Sequence, residues 1–260
     1  MELHCIPNVN ELEEYLKFAN EYQAAFEYNE FFSPDLLDDP IKCNEIIQIY
    51  KKNGHDRSRD TLHGVFYDIQ VHSSDKKIRS IADDRIHQSM EIAMELGVRA
   101  VIFHTNTIPE LRGTSYEDHW LKYNTDYWEN LLHEYKNVDI LIENMFDTSP
   151  SLLSRLADGL KEEDRFGVCL DISHAHMSGT PIKEWIRNLS PYTKHLHLND
   201  NDGSSDSHNE VGNGSILWEQ INPALKQMDQ KPSVLIEVKG IAKLVKSVQY
   251  MKERSIYPFE

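Results

Sequence analysis

Six side chains able to hold a divalent cation stand at the ends of short apolar runs: His63 in TLHGVF, His104 in VIFH, Glu143 in ILIEN, Asp171 in CLDISHAH, His197 in HLHLND and Glu237 in LIEV. Three more follow such runs: His174, three residues after Asp171, then Asp206 and His208 in a polar stretch. Mixed imidazole and carboxylate ligands suit zinc, manganese or iron. A lone histidine in an apolar run is more often a hydrogen-bonded core residue than a ligand, so no histidine decides the matter singly. The carboxylates weigh more. Burying Glu143 or Glu237 at the end of a Val, Ile and Leu run costs roughly several kcal/mol per charge unless a cation compensates. One shared metal site accounts for all six more simply than six separate structural reasons. His195 lies two residues before His197 on the same face of its run, one layer deeper, and reads as an interior hydrogen-bonded residue.

Gathering residues so far apart in sequence requires a scaffold that brings the ends of many runs to one rim. Short β-branched or apolar runs alternate with longer amphipathic stretches along the whole chain, the pattern of βα units around a parallel sheet. Strands are predicted over 3–6, 25–28, 61–66, 99–104, 138–143, 166–171, 193–198 and 234–238, and eight is a number that closes a barrel. Helices are predicted over 10–22, 82–96, 118–135 and 151–161, with Gly97 as a stop. The expected architecture is α/β, a single (β/α)8 barrel occupying residues 1–260 as one domain, with no linker or low-complexity tract to begin a second. In such a barrel the C-terminal strand ends share one mouth, which is where the candidate ligands fall.

Bulk composition narrows the partners. The 260 residues carry 43 Asp and Glu against 27 Lys and Arg, a formal charge of -16, and that field repels polyanions. Three scattered cysteines, Cys5, Cys43 and Cys169, form neither a disulfide framework nor a zinc-ribbon pair. With no run long enough to cross a bilayer and no leader-like start, a cytoplasmic location without membrane association is expected. Oligomeric state is not legible.

At these residues the chain resembles the xylose isomerase-like TIM-barrel superfamily, which includes the endonuclease IV family of apurinic endonucleases. The resemblance spans nearly the whole chain and implies a metal-dependent enzyme with zinc or manganese, up to three ions per chain. It implies that His63, His104 and Glu143 hold one ion, that Glu143 bridges to a second held by Asp171, His197 and Glu237, and that His174, Asp206 and His208 hold a third. The first function expected is hydrolysis of a small phosphoester by clustered metals. The alternative is a sugar or sugar-phosphate isomerase or epimerase, with one ion and with Glu143 and Glu237 as catalytic carboxylates moving a proton on either face of an enediolate. Third comes an apurinic-site DNA endonuclease. Against DNA stands the stretch FEYNEFFSPDLLDDP at 26–40, acidic where the DNA-cleaving relatives carry basic and polar side chains, because phosphate contacts supply most nonspecific affinity. A small-molecule substrate is therefore expected, with Glu27, Asn29 and Lys239 as candidate substrate-binding residues. Ketose 3-epimerases of the superfamily place an arginine shortly after the seventh-strand histidine; here Gly203 stands at that place, and no arginine occurs between Arg187 and Arg254.

Overall fold

A computed structural model describes residues 2–260. The eight strands are β1 (Leu3–Cys5), β2 (Ala25–Tyr28), β3 (Thr61–His63), β4 (Ala100–His104), β5 (Asp139–Glu143), β6 (Phe166–Asp171), β7 (Thr193–Leu198) and β8 (Ser233–Ile236). All pair in parallel and in chain order, and β8 closes on β1. The helices are α1 (Leu12–Tyr22), α2 (Pro34–Leu37), α3 (Pro40–Lys52), α4 (Lys76–Leu96), α5 (Ser115–Glu134), α6 (Ser151–Gly159), α7 (Ile172–Met177), α8 (Ile182–Leu189), α9 (Trp218–Lys226) and α10 (Ile241–Glu253). The chain is thus a (β/α)8 barrel. Among the described residues no helix is long and apolar enough to cross a membrane.

Local chemistry starts and stops the helices. Asp75 and Thr114 cap α4 and α5 by accepting from Lys77 N and Tyr116 N, which satisfies backbone donors that a helix start leaves free. Gly97 ends α4 in a left-handed conformation at φ 75°, where a side chain would be strained.

Strand alternation divides the interior in two. Outward residues such as Val101, Phe103, Ile140 and Ile142 join the large core between sheet and helices. Inward residues fill the barrel, but only Ala100, Ile102, Leu141 and Cys169 form an apolar cluster there. Ala25 and Leu235 are also apolar, but the lower interior is otherwise largely polar, with His4, Glu27, Thr61, His195 and Ser233 buried there. The three cysteines are free and buried.

Two strand ends differ from expectation. The apolar run 61–66 reads as one strand, yet β3 stops at His63. Gly64 N then donates to Ile102 O at 2.8 Å, and Phe66 turns onto the barrel mouth. The last strand ends at Ile236 rather than 238, and Glu237 sits just past it, anchored by its N–H to Leu198 O at 2.9 Å.

Candidate metal centre

The last inward positions of β3 to β7 deliver His63, His104, Glu143, Asp171 and His197 to one rim, and Glu237 joins them from the turn after β8. Three buried groups share Glu143, with donor atoms in each within 4.8 Å of one another: His63 with His104, Asp171 with His197 and Glu237, and a smaller one of Cys169 with His197. In the first, His63 Nε2 lies 3.1 Å from His104 Nε2, and Glu143 Oε2 stands 3.7 and 3.2 Å from the two rings. In the second, His197 Nδ1 is 3.2 Å from Glu143 Oε2 and 3.5 Å from Glu237 Oε2. The third expected set is looser. Asp206 Oδ2 lies 3.4 Å from His174 Nε2 and 3.0 Å from His208 Nε2, with Asp206 and His208 each about a third exposed.

Ring orientation tests whether these residues fit cations. His63 Nδ1 faces Gly64 O at 3.0 Å, His174 Nδ1 faces Asn144 O at 2.8 Å, and His208 Nδ1 faces Glu237 O at 3.2 Å. A carbonyl oxygen only accepts, so each Nδ1 carries a hydrogen, and each ring when neutral presents a bare Nε2 to the cluster. This is the arrangement by which metal-binding histidines are held. The centre of the rim is also short of donors: Glu143 Oε2 and His197 Nδ1 are buried without a hydrogen-bond partner. Buried ligand atoms that converge without hydrogen bonds among them fit a cation.

Protonation agrees. Burial pushes the Asp171 carboxyl up to about 7, aided by Glu237 and Glu143 and opposed by His174. Burial would lower His174, but the carboxylates of Asp171, Asp206 and Glu143 outweigh it and hold the ring well above its ordinary value. The cation-free cluster therefore keeps protons where metal ions would displace them.

Two asparagines that the sequence reading passed over steady the carboxylates. Asn144 brackets Asp171, accepting from its N–H at 2.9 Å and donating to its carbonyl at 3.0 Å. Asn199 Nδ2 reaches Asp171 Oδ2 at 3.4 Å and Glu237 Oε2 at 3.2 Å. Their signal was adjacency, since each follows a ligand by one or two positions. The Asp171 side chain also caps α7, accepting from His174 N at 2.5 Å, which ties the spacing of these two residues to a helix start.

The cluster opens into a cavity of about 760 Å3. Asn29 and Lys239 line it, as does an aromatic wall of Phe32, Phe66, Tyr67 and Phe146. Glu27 is placed elsewhere. It is fully buried inside the barrel, below His197, because β2 pairs Glu27 with Thr61 rather than with His63. Gly203 has φ 83°, a backbone that an arginine would adopt only with strain. His176 bonds Ser215 Oγ at 2.9 Å, away from the cluster.

Known proteins share this scaffold. An uncharacterised protein of Methanocaldococcus jannaschii is 29% identical over 211 residues, covering 74% of this chain and 68% of its own. A probable endonuclease 4 of Mycoplasma pneumoniae is 24% identical over 189 residues, 65% of each chain. Among solved structures, a D-tagatose 3-epimerase-like protein superposes with a TM-score of 0.75 at 24% identity, over 98% of this chain and 97% of that one. The family model described as xylose isomerase-like TIM barrel matches residues 18–254, and the chain belongs to that family.

Proposed function

We propose that the protein is a hydrolase of a small phosphoester, dependent on zinc or manganese with up to three ions per chain. The observation that carries this reading is the pair His63 and His104, whose Nε2 atoms meet 3.1 Å apart beside Glu143. A one-ion sugar isomerase needs only Glu143, Asp171, His197 and Glu237, and has no use for a second imidazole pair. Asp206 between His174 and His208 extends the same argument to a third ion. When bound, such ions polarise phosphoryl oxygens, activate water and steady a leaving alkoxide. The chain's own residues do the rest. Glu143 joins the two inner groups; Asn144 and Asn199 fix Asp171 and Glu237; the aromatic wall narrows water access. Lys239 is the one lysine or arginine among the described residues lining the cavity, placed to meet the phosphate charge.

The surface supports a small substrate rather than a duplex. The segment after β2, with Glu30, Asp35, Asp38 and Asp39, is acidic, and the net charge is -16. Cleavage of a panel of phosphomonoesters and phosphodiesters by metal-loaded protein tests the reading. Metal-dependent release of phosphate or alcohol, lost in Glu143→Gln, is expected; no cleavage at full metal loading overturns it.

One observation favours a second reading, isomerisation or epimerisation of a sugar: the wide aromatic-walled cavity above Glu143 and Glu237. Incubation with ketoses in heavy water decides it, since an enediolate path labels the carbon beside the carbonyl. Unlabelled, unisomerised sugars exclude it.

A further inference from the structure

The interior of this barrel is unusual in what it buries beneath the rim. Glu27 has no exposed surface, and it sits among three inward-facing groups: His197 Nε2 is 3.1 Å from Glu27 Oε1, His195 Nε2 is 3.2 Å from Oε2, and Thr61 Oγ1 donates to Oε2 at 2.7 Å. We propose that Glu27 is a positioning residue that holds the His197 ring in the one tautomer able to ligate a cation at the barrel mouth. The inference rests on the metal centre and not on which ester is cleaved.

His197 is enclosed by carboxylates on both sides. Its Nδ1 faces Glu143 and Glu237 at the rim, and its Nε2 faces Glu27 in the interior. A neutral imidazole carries one hydrogen. Were that hydrogen on Nδ1, the ring would donate to Glu143 and have no lone pair for a metal. With it on Nε2, Nδ1 is bare toward the rim, and the hydrogen needs a buried acceptor that Glu27 supplies. His63, His174 and His208 each have a backbone carbonyl for this purpose, as described above. His197 lies mid-barrel with no carbonyl within bonding distance of either nitrogen, so a carboxylate takes that place.

The polar interior continues downward. His195 Nδ1 lies 2.6 Å from Ser233 Oγ, and Arg99 Nη2 donates to Ser233 Oγ at 3.4 Å. Ser233 Oγ in turn donates to Lys194 O at 3.3 Å, and His195 Nε2, 3.2 Å from Glu27 Oε2, has no hydrogen-bond partner. Thr61 donates to Glu27 Oε2, while Glu27 Oε1 and His197 Nε2 lie 3.1 Å apart, both buried and with no other partner, so each is left for the other.

Two measurements test the inference. Glu27→Gln keeps the shape but brings an amide donor against His195, Thr61 and His197, and zinc affinity by chelator competition should fall about 10- to 100-fold while the thermal unfolding stays cooperative. In zinc-loaded protein with 15N-labelled histidine, the His197 Nε2–H should give a slowly exchanging, strongly deshielded proton that is missing from the variant. Unchanged zinc affinity in Glu27→Gln overturns the inference. Should the variant fail to fold, the unmutated protein decides alone: a His197 hydrogen found on Nδ1 overturns it, and one found on Nε2 upholds it. Loss of affinity in a protein that cleaves no phosphoester leaves the inference standing and removes only the hydrolase reading.

Discussion

His208 adopts a left-handed backbone, φ 45°, that costs an ordinary residue about 1 kcal/mol or more, and it does so with its ring beside Asp206 and its Nδ1 on the Glu237 carbonyl. Strain at a ring held by two partners marks a position kept for chemistry rather than packing. The imidazole pair of His63 and His104 makes a sharper case. Changing His63 to Ala removes one bare Nε2 from the outer group and leaves the inner four residues intact. Titration with zinc should then show one equivalent fewer bound tightly; an unchanged count would place His63 outside the metal shell. Glu237→Gln keeps shape but removes a carboxylate shared by Asn199 and His197, and turnover of any substrate found should fall roughly 100-fold or more. Most of the candidate cluster gathered at the rim was legible because position at a strand end, residue type and the barrel rule act together. Glu27 was not. It too stands near a strand end, but the register of β2 against β3 sets it one layer below His63, and stagger between strands is a property of closure that no single segment encodes.

The loop after β7 shows how an element without regular structure is made rigid enough to hold ligands. Asp200 is buried and accepts from Asn201 N, Ile216 N, Gly212 N and Trp218 Nε1 at 2.7 to 3.2 Å. Its backbone pairs with Asn209 in an isolated antiparallel bridge. A side chain at Gly214 would collide with the Asp200 carboxylate, so the glycine is there for close approach. Replacing Asp200 with Ala leaves several donors buried and unpaired, each worth about 1–3 kcal/mol. Chemical denaturation should register a loss of at least about 2 kcal/mol, and under the proposed three-ion reading the ion assigned to His174, Asp206 and His208 should be the first to be lost. A variant of unchanged stability would show that the loop is organised by other contacts. The sequence marked this stretch as polar but gave no sign that Asp200 ties it down, because the donors it collects arrive from residues up to 18 positions away. Strand limits failed for a related reason. The run 61–66 carries Leu62, Val65 and Phe66, and whether an apolar residue continues a strand or turns to wall a cavity depends on its neighbours in space.

At the scale of the whole molecule the order of strands, their closure and the shared mouth follow from the βα period, which repeats often enough along the chain to be read despite errors at single boundaries. Acid should weaken the fold in two stages. Burial, with His119 nearby, holds His72 down to about 4 against an ordinary 6.5; the unfolded chain therefore binds a proton first, and stability is lost as pH falls from about 6.5 toward 4. Glu2 lies near 2 against an ordinary 4.5: burial opposes the shift, and His4 and Arg99 outweigh it. Its contribution is present above about 4.5 and is lost as pH falls toward 2. Thermal melts across this range should show both declines, and His72→Gln should flatten the first; an unaltered first decline would assign it to another group. Ions bound only by the folded state stabilise it by mass action, so chelation should lower the melting temperature at neutral pH. The most direct test is a count of metal ions per chain in protein saturated with zinc or manganese, by elemental analysis and anomalous scattering at the barrel mouth. Two or three ions, with one beside His63 and His104, are predicted; a single ion confined to Glu143, Asp171, His197 and Glu237 at saturation would contradict the account.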